Sequence, residues 1–187
     1  MKKVALLLLL WTTLCPLPVH ANDLMTVINV QVILNAHGYD VGKPDGISGP
    51  ATRKGIKLFA KDYGAEESII GVYAYALKKN FENRKEISDP ELIVEIQTKT
   101  AAQLRDPDSA KFRNLYTIAG PNITGGGEQT FVCGEVNGKN AYGGYAGYAL
   151  FHGSLTEIGQ TQFFSFSNID GESPVTKIFC ETWFPKS

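Results

Sequence analysis

The apolar positions in the first third of the chain recur with the period of an α-helix. The residues at i, i+3, i+4 and i+7 of the first predicted helix are Val27, Val30, Gln31 and Leu34. Gly38 follows at the usual stop position, and Pro50 suits the first turn of a second helix, where its missing N–H costs nothing. A third helix is predicted over residues 66–84. This part of the chain is therefore expected to be entirely helical.

After residue 84 the pattern mixes helix and strand. Ser88-Asp89-Pro90-Glu91 predicts the start of a helix that continues to Leu104, and Asp106-Pro107-Asp108-Ser109 predicts a short turn. Strand-like runs between glycine-rich loops lie at residues 115–119, 130–136, 162–167 and 175–184. The expected fold class is α+β: a helical domain at residues 22–84, then a small α+β domain with an antiparallel sheet at residues 85–187.

The first 21 residues have the order of a secretory signal peptide. Lys2 and Lys3 precede an apolar run from Val4 to Trp11, and small or permissive residues follow up to Ala21. The run is too short to span a bilayer, and no other stretch approaches that length. Cys15 raises the alternative of a lipid anchor, but its bulky and proline neighbours favour simple cleavage. We therefore expect a secreted, periplasmic protein without a membrane span after cleavage.

The charge of the chain excludes one broad class of partner. The 187 residues include 18 Lys+Arg and 19 Asp+Glu, a net charge of −1. Cleavage after Ala21 removes two lysines and no acidic residue, which changes the charge to −3. Phosphate binding needs a clear cationic excess, so nucleic acid is not expected as a main partner.

The cysteines and histidines that remain after cleavage are few. Cys133 and Cys180 are the two thiols, and in an oxidising compartment they suggest one disulfide across 47 residues. A catalytic thiol is the alternative, but no histidine lies near either cysteine in sequence. Catalytic zinc sites usually need three protein ligands, and His37 and His152 are the only histidines left, so we expect no metal and no cofactor.

Two spaced motifs in the helical region carry a family resemblance. Val30-Gln31 with Leu34 and Gly38-Tyr39 leads into Asp45-Gly46-Ile47-Ser48-Gly49-Pro50-Ala51-Thr52, followed by Ile56 and Phe59. This pattern resembles the three-helix peptidoglycan-binding domain of many cell-wall hydrolases and secreted bacterial proteins. The resemblance covers residues 24–84, about a third of the chain, and implies a three-helix bundle in the bacterial envelope that binds the cell wall. Gly55 and Ala60 depart from the alanine and glutamine that the family commonly has there.

The residues themselves predict a rigid corner between two helices. Asp45 can accept backbone N–H bonds, Gly46 and Gly49 can adopt positive φ, and the Thr52 hydroxyl can reach back to the loop. Each of these residues is more readily explained as scaffold than as a direct contact. The resemblance nevertheless implies peptidoglycan as the ligand of a shallow groove at this corner. The candidate contacts are Tyr39, Asp45, Gly46, Ile47, Gly49, Thr52 and Arg53.

The second domain has a recognisable pattern without a known activity. Its three segments, Leu104–Asn114, Cys133–Asn140 and Tyr142–Tyr148, resemble a domain that recurs in uncharacterised secreted bacterial proteins. Tyr142, Tyr145, Tyr148 and Phe151 recur every three residues, which suits neither a strand nor a helix. They are interpreted either as an aromatic platform for sugar rings or as core residues, and the core interpretation is favoured.

Catalytic residues in the second domain are harder to find. A glycosidase would need Glu135 beside a second carboxylate such as Glu157 or Asp170, whereas turn polarity around the hairpin signal Asn137-Gly138 explains Glu135 more simply. A serine triad would have to recruit His152 with Ser154 or Ser165, and no nucleophile-elbow motif is present. For His37, just before a glycine, a helix-capping role is predicted.

Three functions remain after this survey. The first is a secreted, non-enzymatic protein that attaches to peptidoglycan through its helical domain, with the second domain held near the wall to bind an envelope ligand. The second is a cell-wall hydrolase whose catalytic domain is the second one. The third is a periplasmic protein in which both domains bind other proteins, including an envelope protein.

Overall fold

A computed structural model describes residues 24–123, 126–158, 161–169 and 174–186. The predicted signal peptide, residues 1–21, lies outside the described residues. Within the described part of the chain, no helix is both long enough and apolar enough to cross a membrane.

The first part of the chain is a three-helix bundle, which confirms the predicted helices. They are α1 (Leu24–Ala36), α2 (Pro50–Tyr63) and α3 (Ile69–Asn83). Gly38 ends α1 with φ +90° and Gly64 ends α2 with φ +70°, because a left-handed residue lets the last turn close. Ser68 caps α3 by accepting a hydrogen bond from the Gly71 amide at 2.8 Å. The predicted apolar face of α1 is buried, and its residues Val27, Val30 and Leu34 are 3% exposed or less.

The second part is an antiparallel sheet with one long helix, which confirms the α+β fold class. Its elements are β1 (Lys85–Glu86), α4 (Pro90–Ala101), a 3-10 turn (Pro107–Ser109), β2 (Lys111–Pro121), β3 (Glu128–Asn137), β4 (Ala149–Ile158) and β5 (Thr161–Ile169). The strands lie side by side in chain order, each antiparallel to the next. The Asp89 carboxylate caps α4 at the Glu91 amide, as the sequence predicted.

Three elements of the second part differ from the sequence prediction: the two-residue strand β1 and the strand β4 were not predicted, and one predicted strand is not a strand. The predicted strand at residues 175–184 is helical: α5 (Pro174–Lys177) continues into a π-helical turn (Ile178–Thr182). A short apolar run that is buried all round does not distinguish strand from helix. Strand β4 was not predicted because its Phe151 ends an aromatic series that recurs every three residues, and this spacing does not indicate a strand. At Gly153 in β4, a Cβ atom would lie 2.2 Å from Phe164, so the glycine permits close packing on β5.

The C-terminal segment joins the two parts of the molecule. Cys180 forms the predicted disulfide with Cys133 of β3. By the chain-entropy model, closing a loop of this length stabilises the fold by about 4 kcal/mol. Four residues later, Phe184 is 2% exposed and belongs to the hydrophobic core of the three-helix bundle. The segment is thus fastened to the sheet at one end and inserted into the bundle at the other.

Polar contacts and the second face of α1 complete this interface. Asn80 of α3 donates a 2.8 Å hydrogen bond to the Trp183 carbonyl, and Thr182 donates a 3.0 Å bond to the Asn29 side chain. Val32 and Ala36 of α1 pack against the cluster that contains Cys133 and Trp183. The two parts therefore share buried contacts, while the domain boundary at residues 84/85 stays a prediction.

The Phe184→Ala substitution tests this connection. Removing a fully buried phenylalanine from a packed core is expected to lower the free energy of unfolding by about 3–5 kcal/mol. Urea unfolding of the chain lacking residues 1–21 gives the measurement. Phe81→Ala, at an exposed phenylalanine of α3, is the matched control and should cost less than about 1 kcal/mol. A loss below about 1 kcal/mol for Phe184→Ala would show that the bundle does not depend on the C-terminal segment.

Candidate functional site

Gln31 organises the loop between α1 and α2. Its side chain is 1% exposed, although it lies on the apolar face of α1. Its Nε2 donates to the Asp45 carboxylate at 2.9 Å, to the Ile47 carbonyl at 3.2 Å and to the Thr52 hydroxyl at 3.1 Å. Its Oε1 accepts from the backbone amides of Asp45 and Gly46, both at 2.9 Å. This buried amide is fully hydrogen-bonded, so it fixes the loop instead of destabilising the core.

A second amide, one helical turn further along α1, holds the other half of the loop. Asn35 Nδ2 donates to the Gly42 carbonyl at 2.8 Å, and its Oδ1 accepts from the Val41 amide at 3.0 Å. Val41 packs above Gly55 of α2, where a Cβ atom would lie 2.5 Å from the valine methyl carbon. The glycine that departs from the family pattern thus makes room for the loop.

The loop residues form the hydrogen bonds that the sequence predicted for two of them. Asp45 Oδ1 accepts a 2.8 Å bond from the Ile47 amide, and the Thr52 hydroxyl donates a 3.4 Å bond to the Ile47 carbonyl. The bonds from Gln31 and then from Ile47 lower the pKa of Asp45 below its ordinary value. Asp45 therefore presents a negative charge at neutral pH.

The two glycines of the loop behave differently. Gly46 has φ +77°, as predicted, and a Cβ atom there would lie 2.1 Å from a side-chain carbon of Leu24. The prediction for Gly49 was wrong, because its φ is −77°. Gly49 is the N-cap of α2, where extended backbone is usual, and its carbonyl accepts the first helical bond from Arg53.

Six of the seven predicted contact residues meet at this corner. We call residues 45–53 the α1–α2 corner; it contains Asp45, Gly46, Ile47, Gly49, Thr52 and Arg53. Ile47 is 66% exposed, and the exposed Arg53 donates a 2.6 Å bond to the Ser48 carbonyl. The corner thus presents an apolar side chain, a carboxylate and a guanidinium on a rigid backbone. Such a surface can contact a short peptide through both its charges and its methyl groups.

Tyr39, the seventh predicted residue, lies apart from the corner. Its hydroxyl donates a 2.8 Å bond to Asp62, near the end of α2, and its ring packs edge-on against Phe59. Asp62 is ten residues beyond Thr52 on the same helix, a separation of about 15 Å. Burial and then the bond to Asp62 raise the pKa of Tyr39. The structure gives this side chain a bracing contact between the loop and α2.

Glu135 is paired with a cation. Its carboxylate forms a two-point ion pair with Arg113, at 2.8 and 3.0 Å, and also accepts from Asn114. These contacts, that with Arg113 first, lower the pKa of Glu135. Glu157 bonds to Gln162 and lies seven residues beyond the β4 partner of Glu135, about 20 Å away. The structure does not bring these two carboxylates together, and Asp170 lies outside the described residues.

The other candidate catalytic side chains have structural partners. His152 is buried, with Nδ1 3.0 Å from the Thr176 hydroxyl, whereas the triad hypothesis required Ser154 or Ser165. Both cysteines of the catalytic-thiol alternative are in the disulfide. Across the described ranges, no three His, Cys, Asp or Glu side chains cluster as a metal site would require.

The tyrosines of the second domain contradict the favoured core interpretation. Tyr142 is 96% exposed, Tyr145 41% and Tyr148 38%, and only Phe151 is buried in the core. The predicted tight hairpin at Asn137-Gly138 is also wrong. An eleven-residue loop (138–148) joins β3 to β4 and carries the three tyrosines.

A comparison with family models identifies the helical bundle. Residues 26–68 match the family described as putative peptidoglycan binding domain. The match covers most of α1, the α1–α2 corner and α2, and it ends before α3. It supports peptidoglycan as the ligand and a cell-wall-associated location. Comparisons with curated proteins and with solved structures found no match.

Sequence reasoning did not select Gln31, the residue that holds the corner together. The available signal was a polar amide on an otherwise apolar helix face, with a second amide four residues later. A buried amide needs hydrogen-bond partners, and Gln31 finds them in the loop that follows α1.

The Gln31→Leu substitution measures this dependence. It replaces the amide by an apolar side chain of similar size and leaves the Asp45 and Gly46 amides without their acceptor. We therefore expect the free energy of unfolding to fall by about 2–4 kcal/mol. Urea unfolding gives the total, and hydrogen exchange of these two amides should accelerate. Gly49→Ala is the control, since φ is negative there and a Cβ atom meets nothing within 4 Å. Unchanged exchange in Gln31→Leu would contradict the proposed role of the glutamine.

His37 makes the stability of the bundle depend on pH. Its side chain does not cap α1: it stacks on Phe184, with ring centroids 4.2 Å apart, and its Nδ1 lies 3.0 Å from the Tyr63 hydroxyl. Burial and then the charge of Lys186 lower the pKa of His37 to about 4. The folded state therefore favours the neutral imidazole.

We expect stability to fall as this histidine is protonated. The contribution is fully present above the unfolded pKa of about 6.5 and is lost as the pH falls towards 4, up to about 3 kcal/mol. Unfolding free energies at pH 7.5 and pH 4.5 test this. His37→Gln should reduce the difference, and the remainder includes His152, whose pKa is also lowered by burial. If His37→Gln lost as much stability between pH 7.5 and pH 4.5 as the wild type does, His37 would not be the group that causes the pH dependence.

Proposed function

We propose that this chain is a secreted, non-enzymatic protein of the bacterial periplasm that attaches to peptidoglycan through its N-terminal helical module. The α1–α2 corner is the observation that carries this proposal. It lies within the segment that matches the family, and its backbone is held by the buried Gln31 amide. A preorganised surface binds with less loss of conformational entropy than a mobile loop does.

The chemistry of the corner suits the stem peptides of peptidoglycan. Such peptides present carboxylates and small methyl groups next to N-acetylated sugars. Arg53 and Asp45 offer opposite charges, and the exposed Ile47 side chain offers an apolar contact on the same corner. Lys54, Lys57 and Lys61 line a groove of about 680 Å³ along α2, together with Leu58. These lysines extend the cationic surface for an acidic ligand.

Secretion is proposed on two grounds. Residues 1–21 have the sequence pattern of a signal peptide, and the Cys133–Cys180 disulfide suits an oxidising compartment. The non-enzymatic role is supported by the pairing of Glu135, because a carboxylate held ionised by Arg113 is unsuited to donate a proton as a glycosidase acid.

Co-sedimentation with purified sacculi tests attachment. Point variants are preferable to deletion of the module, because Phe184 belongs to the core of the bundle. The double variant Ile47→Ala, Arg53→Ala changes exposed side chains and should weaken binding about ten-fold or more. Ile70→Ala, at an exposed residue of α3, is the control and should bind normally. Equal binding by both variants would contradict the corner as the contact surface.

The supernatants of the same co-sedimentation samples test the hydrolase alternative. Soluble muropeptides released by the wild-type protein, with loss of release in Glu135→Gln, would establish an enzyme and contradict the non-enzymatic proposal. If the protein neither binds nor releases fragments, attachment to peptidoglycan fails and the protein-binding alternative leads. A pull-down from periplasmic extract, with the corner variants beside the wild type, then identifies that partner.

A further inference from the structure

Three segments that the function above does not use converge on one surface of the second domain. They are the 3-10 turn with the start of β2, the end of β3, and the loop at residues 138–148. Six side chains define this surface, which we call the tyrosine platform: Lys111, Arg113, Lys139, Tyr142, Tyr145 and Tyr148.

Cations and aromatic rings alternate across the platform. Lys111 Nζ lies 4.2 Å from the ring centroid of Tyr145, and Arg113 Cζ lies 3.9 Å from that of Tyr148. Lys139 approaches Tyr145 at 5.9 Å. These contacts stabilise the rings in fixed orientations at the surface. Tyr142 lies in the same loop, and its side chain is almost completely exposed.

The loop that carries the tyrosines is tied to the body of the domain. Ser109 accepts a 2.8 Å bond from the Lys139 amide through its hydroxyl, and its carbonyl accepts a 3.1 Å bond from the Tyr145 hydroxyl. Lys139 and Tyr145 pair as a β-bridge, and the Asn140 amide donates to the Gly144 carbonyl at 2.8 Å. The rings of Tyr145 and Tyr148 are thus held in place without a core to bury them, and Tyr142 belongs to the same loop. Exposed aromatic clusters are typical of binding surfaces, so the platform indicates that this part of the molecule binds a ligand.

The charges on the platform indicate what kind of ligand it takes. Glu135 compensates Arg113, but neither Lys111 nor Lys139 has an ion-pair partner within 4.0 Å in the described part of the chain. Aromatic faces carry a negative quadrupole, which attracts the slightly positive C–H face of a sugar ring. The two lysines add an attraction for negative groups next to those sugars. Sugar rings that carry carboxylates satisfy both features.

We propose that the tyrosine platform binds peptidoglycan glycan strands that have lost their stem peptides, by stacking on their amino sugars and pairing Lys111 and Lys139 with the lactyl carboxylates that this loss frees. This inference rests on the proposed function and adds a second contact to the wall, made to sugar instead of peptide. Arg113 also lines a separate groove of about 700 Å³, together with Asn114 and with Gln97 of α4.

Binding of peptide-free glycan strands, prepared by removing the stem peptides with an amidase, tests the platform by itself. Isothermal titration with the chain lacking residues 1–21 gives the dissociation constant. Tyr142→Ala, and separately the pair Lys111→Gln with Lys139→Gln, should each weaken binding about ten-fold. Phe163→Ala on β5 and the pair Lys78→Gln with Lys85→Gln are matched controls at exposed residues and should bind as the wild type does.

Two further arms separate this inference from attachment through the corner. The corner variant Ile47→Ala, Arg53→Ala should keep its affinity for peptide-free strands, and hexameric N-acetylglucosamine, which lacks carboxylates, should bind more weakly than the strands do. Wild-type protein that binds sacculi but not the strands would overturn the platform and leave the corner intact. Strand binding that is lost in the corner variant but kept in Tyr142→Ala would overturn it as well. A third outcome would support the platform and contradict the corner: Tyr142→Ala weakens binding to the strands, and the corner variant binds sacculi as the wild type does.

Discussion

The insertion of the C-terminal segment into the helical bundle is the contact on which the arrangement of the molecule depends. Within five residues the chain passes from a disulfide on the central sheet, at Cys180, to a buried ring in the bundle core, at Phe184. Polar contacts from Asn80 and Thr182 satisfy the backbone and hydroxyl groups buried between these two points. Without this segment, α1 would expose Val32 and Ala36, the face that packs against the sheet cluster.

A smaller version of the same principle shapes the α1–α2 corner. There, one buried amide replaces the regular secondary structure that would otherwise satisfy the loop backbone. The corner is therefore rigid although its residues 45–49 belong to no helix or strand, and its exposed residues are free to serve binding instead of stability. The tyrosine platform is built similarly, with Ser109 in the role that Gln31 has at the corner.

Local signals in the sequence were sufficient for the bundle and most of the sheet. The helical period, the stop at Gly38 and the proline start at residue 50 depend on a few neighbouring residues, and the structure confirms them. The elements that sequence reasoning missed depend on distant contacts. The segment after Pro174 is helical because it fits between two cores that no local pattern reveals. The tyrosines are exposed because α4 and this C-terminal segment already cover the two faces of the sheet. At the candidate site, the motif indicated the corner but not the position of Tyr39, which depends on the length of α2.

The shared interface between bundle and sheet also has a consequence for avidity. Two weak contacts on one molecule act together only when both can reach the same polymer, and a flexible linker dilutes that gain. Here the corner and the platform belong to bodies joined by a buried aromatic ring, so no linker entropy intervenes. Their separation is consequently fixed, and a meshwork whose peptides and sugars match that spacing is held far more tightly than either fragment in isolation. The protein then responds to the architecture of the wall, and not only to its composition.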